Sequence, residues 1–242
     1  MSRREVREYV YSAVAGILAE GNIESLKWDY NRSISDVYTH SEKNQGRVLY
    51  DYMLGLYSVL ERLNQNYPDV LLEGCCGGGG RYDAGMLYYS PQIWCSDNTD
   101  AVERLTIQYG TSFGYPPLTM GSHVSACPNH QTGRTAPLKT RSDVAKSGSY
   151  GFELNPARLS EEDRRTVTQE LTEFRRYAPL IHNGLYYRLS DPASASAPAC
   201  AWNYVSEDGK EFSITVIMSE HKADSIFPFI DKAVFIRDGK IE

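Results

Sequence analysis

Leu26-Lys27-Trp28-Asp29 covers the end of a short run, Ile23 to Trp28, and the residue after it; the run follows a helix stop at Glu20-Gly21-Asn22. Read as a strand, the run sends alternate side chains to opposite faces. Lys27 and Asp29 then point one way, and Leu26 and Trp28 the other. On a strand of a (β/α)8 barrel, Leu26 and Trp28 would enter the helix layer. Lys27 and Asp29 would face the lumen near the strand's carboxyl end, where such barrels keep their active sites. The same reading of Ile93-Trp94-Cys95-Ser96-Asp97 puts Cys95 and Asp97 on a common face. Two strand ends that each deliver an inward carboxylate are what a glycosidase requires. A plainer reading stands beside it: Lys27 and Asp29 form a local ion pair, and Asp97 caps the helix that follows.

On either side of these stretches the chain alternates between helix and strand. Apolar residues Val6, Val10, Ala13, Val14, Ile17 and Leu18 follow helical spacing. A second stripe, Val48, Leu49, Tyr52, Met53, Leu56, Val59, Leu60 and Leu63, predicts a helix over Gly46 to Tyr67, broken by Pro68-Asp69. Val70-Leu71-Leu72 reads as a buried strand running into a glycine loop. Strands are expected at Ile93 to Cys95, near Leu118 to Met120 and at Tyr150 to Leu154, and a helix at about Asn98 to Tyr109. Ser160-Glu161-Glu162-Asp163 resembles a capping box that opens a helix to about Tyr177.

After Gly184 the pattern changes to strands at Leu185 to Leu189, Ala201 to Val205, Glu211 to Met218 and Ala233 to Arg237. Asp208-Gly209 and Asp238-Gly239 read as turns, and Ser190 to Ala199 as a loop. The expected fold is α/β: the carboxy-terminal part of a (β/α)8 barrel, about five βα units over 1–183, then a partial antiparallel β-sandwich domain over 184–242. A closed barrel has eight strands, so both ends are expected to continue beyond this chain.

The net charge of −6, with no Lys/Arg run longer than two, argues against nucleic-acid or anionic-membrane partners. The 18 Tyr and 3 Trp against 7 Phe suit sugar binding, and equally a large core. Five cysteines with no framework spacing point to a reducing compartment. Glu5 and Glu8 spoil the basic region that a signal peptide would need before Tyr9 to Ala19. The chain is therefore expected to be soluble and cytoplasmic.

Three motifs fail on inspection. Gly77-Gly78-Gly79-Gly80-Arg81 lacks the Lys-Ser/Thr of a phosphate loop and has no G-x-G-x-x-G frame; so bare a loop instead lets backbone amides approach a ligand. Gly110-Thr111-Ser112-Phe113-Gly114 matches G-x-S-x-G but follows a helix, whereas a nucleophile elbow follows a strand. His123, Cys127 and His130 fit no common zinc spacing. No metal or cofactor is expected, and His123 reads as lining the lumen or satisfying a backbone carbonyl.

Lys27-Trp28-Asp29-Tyr30-Asn31-Arg32, Glu73-Gly74-Cys75-Cys76-Gly77-Gly78-Gly79-Gly80-Arg81 and Trp94-Cys95-Ser96-Asp97-Asn98-Thr99-Asp100, in this order, resemble glycoside hydrolase family 36, the large microbial α-galactosidases. Gly121-Ser122-His123-Val124-Ser125 and Asn129 to Arg134 also look like that family. The resemblance implies that Asp29 is the nucleophile and Asp97 the general acid/base. It implies that Lys27, Cys75 and the glycine loop including Gly78 contact the galactose ring, with Asn31 as a further contact. Cys76 stands where family members often have Ser, and Asn98 where they often have Asp, which leaves Asp97 as the matching carboxylate. A retaining mechanism needs the two carboxyl groups about 5 Å apart.

Complete family members are much longer than this chain. The resemblance implies that an earlier segment supplies two aspartates, an arginine and an aromatic that hold the sugar. The expected partner is a small oligosaccharide of the melibiose or raffinose type, in a homo-oligomeric parent enzyme. Three alternatives remain: an inactive or assembly-dependent barrel fragment, an α-N-acetylgalactosaminidase, and a raffinose-type transglycosylase.

Overall fold

A computed structural model describes residues 1–31, 34–35, 37–40, 42–193, 199–218, 236–237 and 240–241. Elements follow in the order α1 (Arg4–Glu20), β1 (Ser25–Asp29), α2 (Val48–Asn66), β2 (Leu71–Cys75), α3 (Ala84–Tyr89), β3 (Gln92–Trp94), α4 (Ala101–Thr111), β4 (Met120–Ser125), α5 (Leu138–Ala145), β5 (Ser149–Glu153) and α6 (Glu161–Asn183). Then come β6 (Leu185–Arg188), β7 (Ala199–Val205) and β8 (Phe212–Met218).

Strands β1 to β5 form one sheet in chain order. The pairs β1–β2, β2–β3 and β3–β4 are parallel. Parallel strands in sequential order, each followed by a helix, are the repeating unit of a (β/α)8 barrel. The five-unit expectation holds. Strands β6, β7 and β8 form a separate antiparallel sheet in that order, the start of the expected all-β region. Of the strand expected at 233–237, the described part is β9 (Ile236–Arg237), which pairs with β10 (Lys240–Ile241). The turn Asp238-Gly239 and Arg32 of the first motif lie outside the described residues.

The chain divides into two compact units: Met1–Asn98 with Leu118–Ser122, and Thr99–Pro117 with His123–Glu242. In the first, the α2 stripe explains the packing. Leu56, Val59, Leu60 and Leu63 fall at i, i+3, i+4 and i+7 and are all buried. Leu56 and Leu60 pack with Leu72, Met86 and Ile93, and Leu26 and Trp28 of β1 join that cluster. Val59 and Leu63 meet Leu18 of α1, with Val10 and Val14 beside it. A fully buried leucine of this kind is worth about 2–5 kcal/mol against truncation to alanine.

In the second unit, Leu180 and Ile181 of α6 pack on Cys200, Trp202 and Tyr204 of β7. Ser160 caps α6: its hydroxyl accepts from the Asp163 amide at 3.0 Å and donates to the Asp163 carboxylate at 2.8 Å. A buried network ties α5 to α6, with Lys146 Nζ 2.7 Å from Glu170 Oε2 and Ser142 donating to the same carboxylate at 2.7 Å. No helix among the described residues is long and apolar enough to cross a membrane.

Several boundaries differ from the sequence reading. Helices α3 and α5 fall in stretches to which the sequence pattern assigns no element; both are short and lack a long apolar stripe. Helix α6 continues past Tyr177 through Pro179. β4 begins at Met120, after a 3-10 turn at Pro117–Thr119, and runs on to Ser125.

Candidate active site

All six residues singled out by sequence, Lys27, Asp29, Asn31, Cys75, Gly78 and Asp97, lie within the first unit. On β1 the alternation is as expected. Leu26 and Trp28 pack into the helix-side clusters, while Lys27 and Asp29 are exposed on the other face. The parallel register sets Lys27 beside Glu73 and Asp29 beside Cys75.

Lys27 pairs across to β2 and not with Asp29 of its own strand. Its Nζ lies 3.7 Å from Glu73 Oε1 and 3.9 Å from the centroid of the Trp94 ring. Glu73 Oε2 in turn accepts from Gln92 Nε2 at 2.9 Å. Lys27, Glu73, Gln92 and Trp94 therefore share one face across β1, β2 and β3. The sequence reading missed Glu73; its signal was a charged residue at the end of an apolar run that begins at Val70.

This row corrects the argument made for Asp97. Ile93 is buried in the cluster on the helix side, so Trp94 faces the Lys27 side. Strand β3 ends at Trp94, and strict alternation does not extend to Asp97. Asp97 sits in the following loop, exposed. Nor does it cap α4, as the plainer reading had it. Asp100 does that, accepting from the Val102 amide at 2.8 Å and the Glu103 amide at 3.2 Å.

The glycine loop is what touches both carboxylate-bearing segments. Cys76 N–H donates to Gly78 O and Gly80 N–H to Cys76 O, both at 3.1 Å, closing a tight turn. Gly77 and Gly78 take φ of +53° and +77°, a region that suits glycine. A methyl group at Gly78 would lie 2.7 Å from the Asp97 amide nitrogen and 2.8 Å from Ser96 Cα. The bare backbone therefore packs directly under the Asp97 loop. On the other side, Gly77 N–H donates to Asn31 Oδ1 at 2.6 Å, and Asn31 Nδ2 donates to Asp29 Oδ2 at 3.2 Å.

Cys75 ends β2 between these contacts, only 5% exposed. Burial pushes its thiol up to about 11; the Gly78 backbone hydrogen bond and the Lys27 charge oppose this, and the Asp29 carboxylate adds to it. At neutral pH the side chain is a protonated thiol, a hydrogen-bond donor beside Asp29.

His123, in the second unit, packs against Gly151: a methyl group there would lie 2.8 Å from its Cδ2. Cys127 is exposed, and its Sγ lies 3.7 Å from the Ala136 carbonyl. Among the described residues no three His, Cys, Asp or Glu side chains are grouped to hold a metal ion.

The Melibiase family model matches residues 1–184. The chain belongs to the melibiase family. Over 216 residues it is 52% identical to the bifunctional α-galactosidase/sucrose kinase AgaSK of Mediterraneibacter gnavus, covering 89% of the chain and 22% of that protein. It is 45% identical to α-galactosidase Mel36A of Lactobacillus acidophilus, over 90% of the chain and 30% of that protein. The solved galactosidase domain of AgaSK superposes with a TM-score of 0.86 at 51% identity, covering 92% of this chain and 30% of that one. A variant of the GH36 α-galactosidase AgaA from Geobacillus stearothermophilus, in complex with raffinose, superposes at 0.84 and 42% identity, over 89% and 30% of the two chains. The GH36 resemblance and the partial-barrel fold are both borne out. The chain spans less than a third of the length of these relatives.

Proposed function

We propose that the protein carrying this chain is a retaining α-galactosidase acting on melibiose- or raffinose-type sugars. The observation that carries the reading is the glycine loop: it holds Asn31, and through it Asp29, on one side and underlies the Asp97 backbone on the other. In the first step Asp29 attacks the anomeric carbon while Asp97 gives its proton to the departing glycosidic oxygen. A β-galactosyl ester and the freed leaving-group sugar result. In the second step Asp97 takes a proton from water, the water oxygen attacks the same carbon, and Asp29 leaves as a carboxylate. Two inversions give net retention. Lys27, Cys75 and the Gly78 backbone would donate to ring hydroxyls. The relatives solved with raffinose and stachyose support the substrate class.

We read residues 1–183 as part of the catalytic barrel and 184–242 as part of the all-β domain. The remaining expectations, a cytoplasmic location and a homo-oligomeric parent, belong to the same reading. The test is azide rescue in the full-length protein. Asp29→Gly should abolish hydrolysis of an aryl α-galactoside, and added azide, entering from the vacated face, should yield a β-galactosyl azide. Normal turnover by Asp29→Gly would sink the assignment.

A further inference from the structure

The side chain of Asn31 is held at both ends. Its Oδ1 accepts the Gly77 amide proton at 2.6 Å, and its Nδ2 donates to Asp29 Oδ2 at 3.2 Å. The chemistry of the two neighbours fixes which way the amide points. Turning it over would set a carbonyl against a carboxylate and an NH2 against an N–H, losing both bonds. The residue between Asp29 and Asn31 is pinned as well. Tyr30 N–H donates to the Cys75 carbonyl at 3.3 Å, continuing the β1–β2 pairing past the last strand residue. The Tyr30 ring lies under the Arg81 guanidinium at 4.4 Å. With the backbone fixed in this way, Asn31 spans from the glycine loop back to the preceding carboxylate.

We infer that Asn31 is a positioning residue for the nucleophile, transmitting the placement of the glycine loop to the Asp29 carboxylate. This rests on the α-galactosidase reading and deepens it, and it differs from a direct contact with the sugar. A donor to one carboxylate oxygen stabilises the ionised form and fixes its rotation about the Cβ–Cγ bond. The second oxygen is left to attack. Because the other end of the amide is bonded to Gly77, a displaced loop would release the carboxylate.

Two variants of the full-length protein separate this role from sugar binding. Asn31→Asp keeps the acceptor for Gly77 but replaces the donor facing Asp29 with a negative charge. Asn31→Ala removes both bonds. A negative charge next to a carboxylate disfavours its ionised form, so the acidic limb of kcat/KM should move to higher pH. The expected shift is about one pH unit for Asn31→Asp, and less for Asn31→Ala. At the optimum, kcat should fall about tenfold or more while KM changes little, since nucleophile orientation is felt mainly in the transition state. Asn31 is exposed, so neither change should move the thermal midpoint appreciably. A raised KM with an unmoved acidic limb in both variants would overturn the inference and return Asn31 to sugar contact. An unmoved limb with unaltered kcat would overturn it too. Failure of the α-galactosidase reading is seen separately, as an unmutated protein without activity on the aryl galactoside.

Discussion

Gly78 shows how much of a site can depend on an absent side chain. Its φ of +77° is poor for any other residue, and the space beside it is filled by the backbone of Ser96 and Asp97 at 2.8 and 2.7 Å. Those are main-chain atoms that cannot swing aside. Gly78→Ala in the full-length protein should therefore displace the loop or Asp97 itself, and lower kcat/KM on the order of a hundredfold, the scale of a misplacement near 1 Å. Gly77→Ala makes the contrast. Nothing lies within 4 Å of the new methyl group, so the cost is about 1–2 kcal/mol of left-handed backbone strain. Equal losses in the two variants would show that strain, not contact with Asp97, governs the loop. Gly78 was visible in the sequence as one of four glycines, but nothing there said which of the four the Asp97 loop rests on.

Among the elements, the amino-terminal end of α4 carries a clear electrostatic design. Asp100 is 2% exposed, accepts two backbone amides, and lies 2.8 Å from Arg134 Nη1 and 2.5 Å from the Thr132 hydroxyl. Burial works against ionisation, but the Thr132 hydroxyl, the Glu103 and Val102 amides and Arg134 outweigh it and hold the carboxyl below its usual range. A depressed folded value adds stability above the unfolded value, and that stability is lost as pH falls through the folded one. Asp100→Asn keeps a good cap but not the charge. It should flatten the fall of the thermal midpoint between about pH 4 and lower values, while Asp100→Ala should cost on the order of 2 kcal/mol at pH 7. An unchanged acid profile in Asp100→Asn would discount the ion pair. Sequence reading anticipated this helix but nominated Asp97 as its possible cap. Two carboxylates three residues apart look alike until the strand's end is known.

For the molecule as a whole, the parallel sheet has β1 at one edge and β5 at the other. Each presents unpaired backbone groups among the described strands, a template for pairing with another chain. Tyr9, Ile17, Leu54 and Leu71 are exposed in the first unit, and Leu185, Tyr187 and Phe212 in the second. This polypeptide expressed alone should therefore self-associate at micromolar concentrations and lack α-galactosidase activity, as size-exclusion chromatography and an aryl-galactoside assay would show. A compact, active monomer would refute both. The local order of elements followed from periodicity: the α2 stripe, the alternation of β1 and the Ser160 cap are interactions between residues a few positions apart, and the chain states them directly. The row Lys27–Glu73–Gln92–Trp94, the end of β3 before Asp97 and the bridge from Gly77 through Asn31 to Asp29 join residues up to 67 positions apart. Their partners are set by strand register and loop packing, which no local pattern encodes.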